Sequence, residues 1–537
     1  MQITQEQYEK IAKYLPRRRG NVSMSNVYDR DNRVTALTYD GDTQKVSYAY
    51  DELGRVTTRT AECGAAAGKL TSTYSYVDGG YGTNSTTPLV KKITQNGISF
   101  EYEYDSRGNI VSEKRGNLTT TYAYDALGQL IRVNDPHENA TWVYSYDRGG
   151  NILSKAKYAY TTGTLGTAVE TIPYTYGDAN WKDKLTAYNG TAITYDAIGN
   201  PLNDGAWTYT WAAGRQLKKM VREDRTLDFK YDHNGMRIQK VLEHDWYPET
   251  TNYTYHGKLL THMTVDYYDW DEVAQQDKLH FFYDAQSRPV KISYNGVIYT
   301  YVHNLQGDIV GILDSAGALV VEYKYDAWGK LPSTTGSLAD TLGRRNPFRY
   351  RGYVYDEETE LYYLRSRYYT PVIGRFVNAD CTCGVAGRLI SHSAFTYCSN
   401  APVDQADDSG KAGNMVSKMP NTIAEAVMRT IINAICGRKH ASNLGKFSVK
   451  SVTRNITITK ESADKHNSLI EGAVGTIAFI HGAILGTYIG KGSKAAGKIV
   501  NSTAGGFATD MISGAIQDIF VDAFTVRPGT YTSILCQ

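Results

Sequence analysis

Cys381-Thr382-Cys383 places two thiols one residue apart, and Cys398 lies close behind them. Three thiolates suit a soft metal or a redox centre, but a zinc site wants a fourth ligand at a recognisable spacing. None is present, and with Cys63, Cys436 and Cys536 the six cysteines form no disulfide framework. They are read as ordinary thiols, with no metal and no cofactor expected. Near the C-terminus, His440, His466 and Glu471 are the acid–base candidates. Lys465-His466 followed by Glu471 matches no nuclease signature, and no H-x-x-x-H pair, P-loop or nucleophile elbow occurs. No catalytic residue is therefore assigned in the tail.

A different chemistry is suggested by Gly472–Gly490, 19 residues without a formal charge, with His481 the one ionisable group. Gly482, Gly486 and Gly490 recur every fourth residue, a glycine zipper that lets helices approach closely. The stretch is just long enough to span a bilayer, and Lys491 and Lys494 would anchor one interface. The competing reading is a soluble helix pair with a tight crossing. Residues 423–435 are amphipathic with a helical period and Gly437 as a C-terminal cap, and 505–524 read as another helix.

The elements that must carry these groups follow from composition. Within 411–537, 14 Lys and Arg face 7 Asp and Glu, a balance of +7, while the first 410 residues carry 44 against 49, or −5. The basic tail suits a nucleic-acid-directed enzyme, since phosphate contacts need Lys and Arg. Of 44 tyrosines only Tyr488 and Tyr531 lie in the tail. Tyrosine-rich, glycine-rich sequence with 13 prolines and few long apolar runs predicts many short strands joined by turns. A mean hydropathy of −0.44 excludes a multi-span membrane protein. The first 20 residues hold no apolar core of a signal peptide, so export by another route, or a chain that is the C-terminal fragment of a longer one, is expected.

The strands are marked by a repeat of Tyr-Asp, two residues, Gly, a polar and an apolar residue. Copies are Tyr50-Asp51-Glu52-Leu53-Gly54-Arg55-Val56, Tyr104 to Ile110, Tyr124 to Leu130, Tyr146 to Ile152, Tyr195 to Asn200, Tyr231 to Ile238 and Tyr325 to Lys330. The spacing near 20 residues predicts a repeat architecture. In Tyr122-Ala123-Tyr124 both rings share a strand face, Asp125 starts a turn by bonding its own backbone two residues on, and Gly128 supplies the positive φ. Each copy is then a strand, a tight turn and a returning strand, and stacked copies make one long sheet.

These copies resemble YD/RHS repeats. Pro347–Phe376, with Arg349-Tyr350-Arg351-Gly352-Tyr353 and Arg365-Ser366-Arg367-Tyr368-Tyr369, resembles the RHS repeat-associated core of polymorphic toxins. The resemblance covers about 30–410 and implies a mainly β chain: a YD-repeat β-shell, a spiralling antiparallel sheet, followed by a small mostly α C-terminal domain. The expected divisions are 1–30, a polar N-terminal segment; 31–345, the repeats; 346–410, the core; and 411–537, a variable C-terminal domain. Phe348 to Tyr355 and Tyr362 to Tyr369 read as two half-buried strands, with Arg349, Arg351, Arg365 and Arg367 stacked on rings.

The family's core ends in Pro-x4-Asp-Pro-x-Gly-Leu with self-cleavage just after it. Here Pro402, Asp407 and Gly410 match, Asp408 replaces the proline and Lys411 the leucine; Thr370 and Glu360 depart upstream. The resemblance implies an aspartyl-type cleavage by Asp380 and Asp407, with Arg375 stabilising developing charge. It further implies a secreted or cell-surface protein of bacterial competition. Its own C-terminal domain would be the cargo, with an immunity protein as partner and the target-cell membrane as target through the zipper. Nucleic acid is the lesser alternative target, and a non-toxic adhesion or scaffold module the alternative of another class.

Overall fold

The computed structural model describes residues 24–39, 44–63, 68–79, 86–243, 247–381, 384, 389–411 and 414–415. The expected α-helical cargo, with Gly482, Gly486, Gly490, His440, His466 and Glu471, lies outside the described residues, as do residues 1–23.

Within them the chain is a run of antiparallel strands in strict sequence order. Fifteen strands from Met24–Tyr28 to Thr191–Ala192 form one sheet, and fourteen from Thr194–Tyr195 to Ser333–Thr335 form the next. Every neighbour in the sheet is the neighbour in sequence, so most strands meet their partner through a short turn, at little loop-closure cost; the connections after Ala159 and Thr175 are longer. Four short strands, Val354–Asp356, Leu361–Tyr363, Tyr368–Thr370 and Arg375–Phe376, make a separate small sheet. Gln405–Ala406 and Asn414–Met415 pair as a last hairpin.

The turn is held as the repeat predicts, and by more. Asp125 Oδ1 accepts the N–H of Leu127 at 2.8 Å and of Gln129 at 2.9 Å, while Oδ2 accepts Gln129 Nε2 at 2.7 Å. Arg55, Asn109, Asn151 and Asn200 use their side chains the same way at the same offset. The polar residue after glycine is thus the second half of the turn lock. Gly128 sits at φ +81°, where a side chain would be strained. The tyrosine of most motifs donates its hydroxyl to a carbonyl one hairpin back: Tyr104 to Val90, Tyr124 to Ile110, Tyr146 to Leu130 and Tyr231 to Leu217. Tyrosine rather than phenylalanine is therefore required by bonding between hairpins.

The core lies where the two sheets and the small sheet meet. Leu37, Val46, Phe100, Ile110, Leu130 and Val133 of the first sheet share one cluster with Phe282, Val302 and Val310 of the second. Tyr350, Tyr353, Tyr362, Tyr369 and Tyr397 fill it from the segment 346–410, here called the plug, against the wall made by the two long sheets. The plug also grips the wall at its turns. The carbonyls of Gly150, Gly199 and Gly329 accept Asn400 Nδ2, the Ala379 N–H and the Tyr362 hydroxyl. Arg237, fully buried, makes a two-pronged ion pair to Asp356 at 2.5 and 2.9 Å under the rings of Phe229, Tyr253, Tyr363 and Tyr368.

Two expectations for the plug are corrected. Phe348–Tyr355 is not one strand: Tyr350–Gly352 is a helical turn, with Arg351 at φ +55°, that folds Phe348 back to bridge Val354, where the strand begins. The bend serves a tertiary need, since it brings Arg351 to Asp308 at 2.7 Å. Tyr362–Tyr369 is likewise two strands joined by a turn at Leu364–Arg367, with Arg365 at φ +65°. The arginine stacking holds for Arg349 over Tyr323, Arg351 over Tyr350 and Arg367 over Phe376.

Candidate functional site

The turn Leu364–Arg367 projects Ser366 and Arg367 from the small sheet. It is tied by Leu364 N–H to Arg367 O at 2.9 Å and Ser366 N–H to Leu364 O at 2.8 Å. Phe376, on the neighbouring strand Arg375–Phe376, lies flat under the Arg367 guanidinium at 3.5 Å. The backbone running on from that strand delivers Asp380, whose N–H is fixed to Ala394 O at 2.8 Å. Asp407 follows the strand Gln405–Ala406, its N–H held by the Tyr353 hydroxyl at 2.6 Å.

Arg367 joins the two aspartates. Its Nη2 lies 3.1 Å from Asp380 Oδ2 and 3.5 Å from Asp407 Oδ2. Its Nε donates to the Gly410 carbonyl, and its Nη1 to Ala394 O at 3.2 Å. Burial pulls the guanidinium below the usual arginine range, while Asp380 and Asp407 draw it back. Asp407 is almost wholly buried, and Asp380 is only slightly exposed. A buried cation shared by two carboxylates is the kind of unit that separates the roles of paired acids.

Asp407 also opens a turn that shares the Oδ1 bonds of the wall turns, while its own N–H goes to the Tyr353 hydroxyl. Its Oδ1 accepts the N–H of Ser409 at 3.2 Å and of Lys411 at 3.0 Å, and Gly410 sits at φ +69°. The Asp, third-on Gly and fourth-on polar residue thus recur at 407, 410 and 411. A side chain on Gly410 would collide, since its Cβ would lie 2.7 Å from Ser366 Oγ and 2.8 Å from Leu364 O.

Of the three residues expected here, Asp380 and Asp407 come together and Arg375 does not join them. Arg375 turns to the wall, where it bonds Asn151 Oδ1 at 3.2 Å, the Tyr176 hydroxyl and Asp183 O at 2.7 Å. Arg367 reaches both carboxylates instead, and Ser366 stands beside it; the sequence assigned neither to the site. Asn378, also unforeseen, is fully buried, and neither of its amide atoms has a partner among the described residues. Of the cysteine group, Cys381 is exposed, Cys398 is buried in the plug with its thiol pushed up by burial, and Cys383 lies outside the described residues.

Comparison with known proteins agrees with the architecture. An RHS Repeat model matches residues 28–64. The tRNA3(Ser)-specific nuclease WapA of Bacillus spizizenii is 32% identical over 372 residues, covering 63% of this chain and 15% of that protein. Double-stranded DNA deaminase toxin A of Burkholderia cenocepacia is 25% identical over 413 residues, covering 70% of this chain and 26% of that protein. The chain thus spans only a small part of the length of these relatives. The Photorhabdus luminescens Tc holotoxin pore shares the fold, with TM-score 0.52 at 18% identity over 74% of this chain and 22% of that one. The Teneurin YD-shell model matches residues 90–392, more than half of the sequence, and with the strand order and turn chemistry above this chain belongs to the Teneurin YD-shell family of RHS/YD-repeat proteins.

Proposed function

We propose that this chain is the closing part of a toxin-like shell that encloses its own C-terminal segment and cuts itself free of it. The wall supplies the enclosure, the plug at 346–410 closes it, and Asp380 and Asp407 perform an aspartyl-type self-cleavage next to Gly410. The observation that carries this reading is the Arg367 guanidinium, which gathers both aspartates and the Gly410 carbonyl around one buried cation. Arg367 takes the charge-stabilising part expected of Arg375. The mass of the purified protein under denaturing conditions tests the reading. Two fragments are expected, and one full-length species from Asp380→Asn. A full-length wild-type chain would end it.

The released segment is proposed to act in a neighbouring cell after secretion or surface display, with an immunity protein protecting the producer. Gly482, Gly486 and Gly490 support a membrane target. The +7 balance of 411–537, and two relatives named for a tRNA nuclease and a DNA deaminase, support nucleic acid as the second reading. Dye release from anionic vesicles against degradation or deamination of added tRNA and DNA, both with the cleaved full chain, separates them.

A further inference from the structure

The contacts around Gly410 define more than a neighbourhood. We infer that the bond cut is Gly410–Lys411, and that the Ser366 hydroxyl and the Arg367 guanidinium hold its carbonyl oxygen through the reaction. This inference rests on the self-cleavage reading. The family pattern places cleavage one bond later, after position 411.

Both ends of the Gly410–Lys411 peptide are held by groups suited to breaking it. At the carbonyl, Ser366 Oγ donates to Gly410 O at 2.9 Å and Arg367 Nε donates to the same oxygen. Two donors converging on one carbonyl oxygen are what an acyl-transfer site needs where negative charge develops. At the amide, the Lys411 N–H rests on Asp407 Oδ1 at 3.0 Å. Asp407 therefore already touches the nitrogen that must gain a proton when it leaves. Asp380, across the same guanidinium, completes the pair. Gly410 is buried while Lys411 is exposed, so solvent water reaches the bond from the lysine side.

The Ser366 hydroxyl is also placed to favour the transition state over the ground state. It lies 2.7 Å from Ser409 O as well as 2.9 Å from Gly410 O. It has one hydrogen, so in the resting chain the two carbonyls share it. Once Gly410 O carries negative charge, that hydrogen goes to it alone, and an interaction that strengthens toward the transition state is the kind that accelerates. The close approach depends on Gly410 lacking a side chain.

The step balances with water as co-reactant. Water adds to the Gly410 carbonyl carbon and gives one proton to a carboxylate of the Asp380–Asp407 pair. The tetrahedral oxyanion is held by Ser366 and Arg367. The Gly410 C to Lys411 N bond then breaks, and the proton passes from Asp407 to the departing nitrogen. The products are a carboxylate on Gly410 and an ammonium on Lys411, which takes up the proton that the new carboxylic acid gives up.

The test is a time course of the full chain made by cell-free translation, quenched in denaturant and weighed intact. The expected wild-type fragments end at Gly410 and begin at Lys411. Ser366→Ala should cut the same bond about 100-fold more slowly, in line with loss of one oxyanion donor. Ser366→Thr, which restores the hydroxyl, should recover most of the rate, and a circular-dichroism spectrum matching wild type shows that the alanine variant is folded. Fragments joined at Lys411–Ala412 or elsewhere would overturn the bond assignment and leave self-cleavage standing. Ser366→Ala at the wild-type rate would overturn the role of the hydroxyl. A wild-type chain that stays whole would overturn the self-cleavage reading itself.

Discussion

Asp404→Asn is expected to make this protein more stable in mild alkali. Asp404 is fully buried in the plug, and its Oδ1 accepts the N–H of Ile110 at 2.7 Å, on a wall strand 294 residues earlier. Its Oδ2 has no hydrogen-bond partner among the described residues. Burial pushes its pKa up to about 7, against the opposing pull of the Ile110 N–H. An unfolded aspartate titrates near 3.9. Between about pH 4 and 7 the folded protein therefore keeps a proton that the unfolded chain has lost. The stability from the neutral acid is complete below the unfolded value, falls as pH rises through that window, and is gone above the folded one. At about 1.4 kcal/mol per pH unit the full shift is worth on the order of 4 kcal/mol, and on the order of 2 if the site relaxes around the charge. Asparagine is neutral throughout. The variant should match wild type at pH 4, gain on it steadily, and exceed it by about 2–4 kcal/mol at pH 8. Urea unfolding followed by tryptophan fluorescence, with Trp328 buried beside the plug, reads this across the pH range. Curves for the two proteins that stay parallel from pH 4 to 8 would refute the reasoning, because the acid would then be ionised in the fold.

Three further outcomes follow from the same contacts. Arg237→Met strands Asp356 with Lys240, 3.4 Å away, as its remaining cation, and should lower unfolding stability by about 3 kcal/mol; Arg237→Met with Asp356→Asn should recover part of it, and equal losses in single and double variants would count against the pair. Tyr124→Phe and Tyr146→Phe should each cost about 1 kcal/mol by leaving the Ile110 and Leu130 carbonyls without their hydroxyl partners, read by urea midpoints. Cys381 should react with iodoacetamide in the native protein while Cys398 reacts only after denaturation, read by peptide mass, and early labelling of Cys398 would show that the plug opens.

The wall was legible because its information is local. Asp125 and Gly128 stand three residues apart, and both roles follow from turn chemistry alone. The side chain of Gln129 was not foreseen, since its bond to Asp125 appears only once the turn is built. The Tyr124 hydroxyl was also beyond reach, because its partner Ile110 lies in the preceding hairpin. In the plug, tertiary needs override pattern. The alternation of Tyr350, Tyr353 and Tyr355 read as strand, but Arg351 leaves it to meet Asp308. At the site, Asp380 and Asp407 were named through the family pattern, and the choice of arginine failed for a geometric reason. Side chains on a strand alternate, so Arg375 faces the wall while Phe376 turns to the site and carries Arg367 on its ring. Ser366 meets Gly410 across 44 residues, which no spacing reveals.

The turn shared by the wall and the Asp407–Lys411 loop has a consequence for how such proteins diversify. Asp51, Asp105, Asp125, Asp147, Asp196 and Asp232 all accept the N–H four residues on with Oδ1, as Asp407 does. The turn proposed for scission differs in its partners: the Asp407 N–H bonds the Tyr353 hydroxyl where the wall aspartates bond the carbonyl four residues on, and Ser366, Arg367 and Asp380 surround it. Gene duplication or loss of whole hairpins can therefore lengthen or shorten the wall without copying Ser366, Arg367 and Asp380, the residues proposed to cut, because none of them is part of the repeated unit. The length of the wall and the proposed scission chemistry are thus free to evolve independently.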